Sequence, residues 1–143
     1  MERLLISACL LGVSCRYDGK SKPVTEAAKL MNKYELIPVC AEIFGGLTTP
    51  RIPAEVCGDK VITKDGRDVT EEYLRGANEV LRLAKLFGCK KALLKEKSPS
   101  CGSGTIYSGN FDGSLISGFG KTAALLIENK IEVFGESEID KLL

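Results

Sequence analysis

Ala92-Leu93-Leu94-Lys95-Glu96-Lys97-Ser98-Pro99-Ser100-Cys101-Gly102-Ser103-Gly104 combines a strand, a break and a cysteine within thirteen residues. Its opening apolar run has the length and composition of a buried strand. Pro99 and Gly102 then interrupt the chain, so Cys101 falls on a turn just past the strand's end. Two other runs finish in the same way. Leu4-Leu5-Ile6-Ser7-Ala8 leads into Cys9, and Leu36-Ile37-Pro38-Val39 leads into Cys40. In an open parallel sheet the carboxyl ends of the strands share one edge, and ligands bind there. The pattern predicts three cysteines delivered to that edge. Three converging thiolates without a fourth protein ligand suit a metal centre with an open position.

Working outward from these runs, strands are expected at 3–8, 35–40, 90–95 and 131–134. Between the first two, Cys9 to Lys22 is rich in turn signals, and Pro23 opens a helix through Tyr34 with Thr25 as its cap. Ala41 to Cys57 reads as a long, proline-stiffened loop of the kind that carries function. Lys60 to Val69 reads as a hairpin about Asp65-Gly66. The clearest helix spans 71–87, capped by Thr70 and ended by Gly88. Tyr73, Leu74, Ala77, Val80, Leu81, Ala84 and Phe87 form its apolar stripe. Gly76 interrupts that helix at a cost near 1 kcal/mol in propensity, which points to close packing. Ser98 to Gly120 is rich in glycine and serine, 121–129 is helical, and a short helix follows Ser137. Alternating strands and helices define an α/β layered fold with a mainly parallel sheet. Residues 1–143 are expected to form one domain.

The 143 residues are 44% hydrophobic and 27% charged, which suits a globular core. A net charge of +1 gives no electrostatic footprint for long nucleic acid, although a small nucleotide remains compatible with it. There is no histidine and no tryptophan. Acid/base work therefore falls to Glu, Asp, Lys, Cys, Tyr or water, and a soft metal site must be built from cysteine. Ile6-Ser7-Ala8-Cys9 superficially resembles a lipoprotein cleavage site, but the apolar run before it is shorter than the ~7–15 residues of a secretory core. No run reaches the ~18 apolar residues of a membrane span. A cytoplasmic protein with reduced thiols and no membrane partner is expected.

The six cysteines fit no compact motif. Five residues separate Cys9 from Cys15, sixteen separate Cys40 from Cys57, and eleven separate Cys89 from Cys101. Zinc knuckles, C-x-x-C redox pairs and compact ferredoxin spacing are all excluded. A site assembled from separate loops is left, against the alternative that each cysteine is a small buried hydrophobe. Cys89 reads as core, Cys57 reads either way, and Cys15 reads as a spare ligand, a sulfur relay or core, with a supporting role favoured. Glu42, two residues beyond Cys40, is either a solvated carboxylate or the general acid/base of a chain without histidine. Ser98 and Ser100 are turn formers, or they orient a substrate or water near Cys101. Lys95, Lys97 and Arg51 are solvated charges, or they receive a substrate phosphate. Gly118-Phe119-Gly120-Lys121-Thr122 ends like a phosphate loop, but Leu115 stands where its leading glycine belongs. Gly102-Ser103-Gly104 begins like a dinucleotide fingerprint, but Tyr107 holds the place of its last glycine.

Several stretches together resemble the thiouracil desulfidase family, long known as domain of unknown function 523. They are Ser7-Ala8-Cys9-Leu10-Leu11-Gly12 with Cys15-Arg16-Tyr17-Asp18-Gly19; Pro38-Val39-Cys40-Ala41-Glu42 with Gly45-Gly46-Leu47 and Pro50-Arg51; Asp68-Val69-Thr70; and Ser98-Pro99-Ser100-Cys101-Gly102. The resemblance implies a Rossmann-like fold holding a [4Fe-4S] cluster on Cys9, Cys40 and Cys101, with one iron not ligated by protein. That iron takes the sulfur of a thiolated uracil or thiouridine nucleotide. The resemblance makes Glu42 the catalytic glutamate and Ser98 the serine beside it. The product is the oxo base, released with sulfide and without net electron transfer. Ala41 departs from the family pattern, where proline is typical. Two other classes fit the same cysteines: an iron–sulfur or metal-binding module without turnover, and a thiol-based sulfur carrier using a Cys101 persulfide.

Overall fold

A computed structural model describes residues 1–143. Its strands are β1 (Glu2–Ser7), β2 (Tyr34–Val39), β3 (Ala54–Cys57), β4 (Lys60–Thr63), β5 (Lys91–Leu94), β6 (Ser103–Tyr107), β7 (Leu115–Phe119) and β8 (Glu132–Gly135). Its α-helices are α1 (Ala27–Leu30), α2 (Ala41–Phe44), α3 (Thr70–Leu86) and α4 (Lys121–Glu128). Four strands make one sheet in the order β2-β1-β5-β8, every neighbouring pair parallel. This is the expected Rossmann-like α/β arrangement. β1 is paired on both edges, with Leu4 opposite both Leu36 and Lys91. The chain leaves β1 for β2 on one side and later returns to β5 on the other. The order therefore reverses beside β1, and the sheet opens there at its carboxyl edge.

The alternation of β1 sends Leu4 and Ile6 to one face and Leu5 to the other. On the first face they meet Leu10, Leu30, Tyr34, Leu93 and the C-terminal 3-10 segment Glu136–Lys141. On the second, Leu5, Val39 and Leu94 pack under Val80, Ala84, Ala123 and Leu126 from α3 and α4. A third core, holding Val56, Val61, Val69, Tyr73 and Ile106, lies beneath the antiparallel pairs β3–β4 and β6–β7.

The helix expected from Pro23 to Tyr34 is reduced to α1. Only Ala27 and Leu30 of that turn are buried, and the Thr25 hydroxyl bonds the Glu26 carboxylate instead of capping backbone. The supposed loop of residues 41–57 contains α2 and β3 at its two ends. Four residues are too few for helical periodicity to register, and α2 is held by packing on α3. The hairpin about Asp65-Gly66 is present as a short turn, in which Thr63 N–H donates to Arg67 O at 2.8 Å and Val69 N–H to Val61 O at 2.9 Å. Thr70 is the first residue of α3 and does not cap it. Its N–H and hydroxyl both donate to Asp68 Oδ1, at 2.9 and 2.6 Å. Residues 103–119, without legible alternation, form β6 and β7.

Candidate active site

Each strand end delivers its cysteine by a different local device. After β1 the chain tightens into the 3-10 turn Ala8–Leu11, which carries Cys9. Cys40 is the extended residue between β2 and α2. The Cys101 turn is tied from both sides. Ser98 Oγ accepts the N–H groups of Ser100 at 3.0 Å and Cys101 at 3.1 Å. The first turn of α4 donates Lys121 N–H to Pro99 O at 2.9 Å and Thr122 N–H to Ser100 O at 2.8 Å. Ser100 is fully buried and pairs its hydroxyl with that of Thr122 at 2.7 Å. Cys9, Cys40 and Cys101 all line one cavity of ≈ 430 Å³ at the carboxyl edge of the sheet, with Glu42 and Ser98. The structure thus gathers all five expected residues at one place.

Glu42 sits in the single turn of α2, two residues past Cys40. Its Oε2 accepts from Tyr73 Oη at 2.7 Å and from Arg51 Nε at 3.1 Å. Both side chains of the ion pair are mostly buried, with Arg51 7% and Glu42 16% exposed. Arg51 also donates to Thr48 O, Thr49 Oγ1 and Cys15 O. Burial works against the Arg51 charge, but the Glu42 carboxylate more than offsets it and holds the guanidinium above its ordinary pKa. Burial, then Glu42, pushes the Tyr73 phenol well above its usual range, so Tyr73 is a neutral donor.

The thiols share one electrostatic environment. Burial, followed by the nearby Cys40, raises Cys9 to about 11; Lys95 and Arg16 oppose the shift. Burial, then Cys40, raises Cys15 to about 12. Burial, then Glu42, raises Cys101, while the Ser7 hydroxyl pulls it down. A buried thiol of this kind stays protonated unless a cation compensates the thiolate charge. All six cysteines are free. No three His, Cys, Asp or Glu side chains come close enough to share a single metal ion. A mononuclear tetrahedral site needs such convergence. A cubane cluster instead takes each thiolate on a different iron, and an all-sulfur donor set around an open cavity suits it.

The remaining expectations divide. Cys15 is buried at the cavity wall, and its carbonyl accepts from Arg51 and from the Cys40 thiol. Its sulfur lies beside the strand-end thiols of Cys40 and Cys9 at the same cavity. Cys89 is core. Cys57 lies outside the cavity, with its sulfur 3.6 Å from Gly109 O. Of the three candidate phosphate partners, Arg51 is committed to Glu42 and Lys95 to Glu136 at 2.9 Å. Lys97 remains exposed at the cavity rim. Sequence reasoning placed Tyr73 only on the apolar stripe of α3, because periodicity reports its ring and not its hydroxyl. It also missed Glu55, whose Oε1 accepts the N–H groups of Gly109 at 2.8 Å and Phe111 at 3.2 Å. That contact fastens the loop carrying Phe111 over the cavity.

Fold and site define an α/β protein whose thiol-lined cavity lies at the switch point of a parallel sheet. The chain belongs to the 2-thiouracil desulfurase family, whose profile matches residues 4–138. It is 41% identical to the protein YbbK of Bacillus subtilis (strain 168), covering 98% of this chain and 99% of that one. A solved structure of the [4Fe-4S]-dependent thiouracil desulfidase TudS (DUF523) superposes with a TM-score of 0.95 at 47% identity, covering 99% of this chain and 95% of that chain.

Proposed function

We propose that the chain is an iron–sulfur-dependent desulfidase that converts a thiolated uracil, as free base or nucleotide, into its oxo form. One observation carries this reading: three thiols from three strand ends face the same cavity as Glu42, in a chain 47% identical to a [4Fe-4S]-dependent thiouracil desulfidase. Cys9, Cys40 and Cys101 would hold a [4Fe-4S] cluster, leaving one iron without a protein ligand. When bound, that group supplies a soft Lewis acid for thiocarbonyl sulfur.

The chain's own residues account for the rest of the hydrolysis. Glu42 takes the proton of the attacking water, with its Oε1 as the accepting atom because Oε2 is occupied. Ser98 Oγ already accepts two N–H groups but keeps its own proton, which it donates to the water or to the base oxygen. Water adds to the carbon that loses sulfur, and C=S plus H₂O becomes C=O plus H₂S with no change in electron count. The cavity falls within the ~300–1,000 Å³ range of small-molecule sites. Lys97 and Lys64 at its rim would receive the phosphate of a nucleotide. Residues 1–143 would act as one domain among reduced thiols, in the cytoplasm.

The test is iron and acid-labile sulfide per chain after anaerobic reconstitution, followed by sulfide release from thiouracil and from a thiouridine monophosphate. About four of each per chain is expected for a cubane cluster, with loss in each of Cys9→Ala, Cys40→Ala and Cys101→Ala. Glu42→Ala should keep the cluster absorbance and lose turnover. Stoichiometric zinc, or iron without sulfide release, would sink the proposal.

A further inference from the structure

We propose that Tyr73 is a positioning residue of this reaction: with Arg51 it locks the Glu42 carboxylate so that a single oxygen, Oε1, is presented to the cavity. This rests on the desulfidase reading above and adds to it a residue that does not itself meet the substrate.

Glu42 is a poor candidate for self-orientation. It stands on a single helical turn and carries a long side chain with several rotatable bonds. A proton acceptor contributes fully only when it is held at the reacting atoms. The required restraint comes from two directions. Tyr73 Oη reaches Oε2 from α3 at 2.7 Å, and Arg51 Nε reaches the same oxygen from the opposite segment at 3.1 Å. Arg51 is fixed in turn by three further acceptors, and Tyr73 is 2% exposed. Oε1 has no hydrogen-bond partner in the protein, although Glu42 lines the cavity. One carboxylate oxygen is thus saturated by protein donors and the other is left for chemistry.

The reach of Tyr73 depends on the packing of its helix. Gly76, one turn along α3, lies against Ala41, and a Cβ there would stand 1.9 Å from Ala41 O. Gly45 faces α3 in the same way, where a Cβ would stand 2.0 Å from Glu72 O. Two side-chain-free positions let α3 close onto α2, the turn that holds Glu42.

The test compares wild type, Tyr73→Phe, Glu42→Gln and the double variant. The phenylalanine ring preserves the packing. Loss of one hydrogen bond to a charged group should lower kcat roughly tenfold or more, with KM changed by less than about twofold because substrate contacts persist. A second readout does not depend on turnover. The infrared difference between wild type and Glu42→Gln isolates the Glu42 carboxylate stretch. The same difference taken between Tyr73→Phe and the double variant should show that band shifted. An unmoved band, an unchanged kcat, or a rise in KM at constant kcat would each overturn the positioning role. Failure of the wider reading looks different: the reconstituted wild type itself would then release no sulfide.

Discussion

Arg51 concentrates the polar organisation of the site in one guanidinium. It meets the Glu42 carboxylate, two carbonyl oxygens and a threonine hydroxyl. With the ion pair 7% and 16% exposed, the Coulombic gain is weakly screened, and an unpartnered Glu42 would be left poorly solvated. Arg51→Met is expected to cost on the order of 3 kcal/mol in a urea or guanidinium titration. Adding Glu42→Gln should recover part of that loss, because the stranded charge disappears. Full additivity would contradict the pairing. The chemistry of these residues was unevenly legible. Cys9, Cys40, Cys101 and Glu42 announced themselves because a strand end or a cysteine lay beside them. Arg51 lies nine residues and Tyr73 thirty-one residues beyond Glu42, and no periodicity spans either gap to tie them to it.

At the scale of elements, two opposing terms meet at Gly76. Alanine in mid-helix gains about 1 kcal/mol over glycine in propensity. Against this, a Cβ 1.9 Å from the Ala41 carbonyl forces backbone to move, and overpacking of this kind costs roughly 1–3 kcal/mol or more. Gly76→Ala should therefore lower the denaturation midpoint despite the better helix former, and a raised midpoint would show that the two helices are not in contact. The start of α3 gives a pH-dependent prediction. Asp68 accepts the Thr70 hydroxyl and N–H, which hold its carboxyl below the ordinary 3.8. A depressed folded value means stabilisation that is present above the ordinary value and lost as pH falls through the folded one. Asp68→Ala should lower the melting temperature at pH 7, and the difference from wild type should vanish in acid. α3 and α4 were readable because each repeats its apolar spacing over several turns. α2 was not, since one turn contains no period, and β6 and β7 hide their alternation behind serine and glycine.

In the whole molecule, the parallel sheet was legible from short apolar runs separated by helix signals. The two antiparallel pairs covering the third core were legible only in part. Their registers depend on contacts between segments that share no sequence signal, such as Glu55 with the loop at Gly109. The hold of α4 on the Cys101 turn has a bearing on how the protein comes into being. Pro99 and Ser100 find their backbone partners at Lys121, Thr122 and Ala123. A chain emerging from the ribosome therefore carries Cys9 and Cys40 long before α4 exists to hold the Cys101 turn from its far side. Synthesis at roughly 5–20 residues per second separates those events by several seconds. A cluster held on all three thiols, as proposed, would be taken up after translation has passed α4, as a late maturation step on a nearly finished fold.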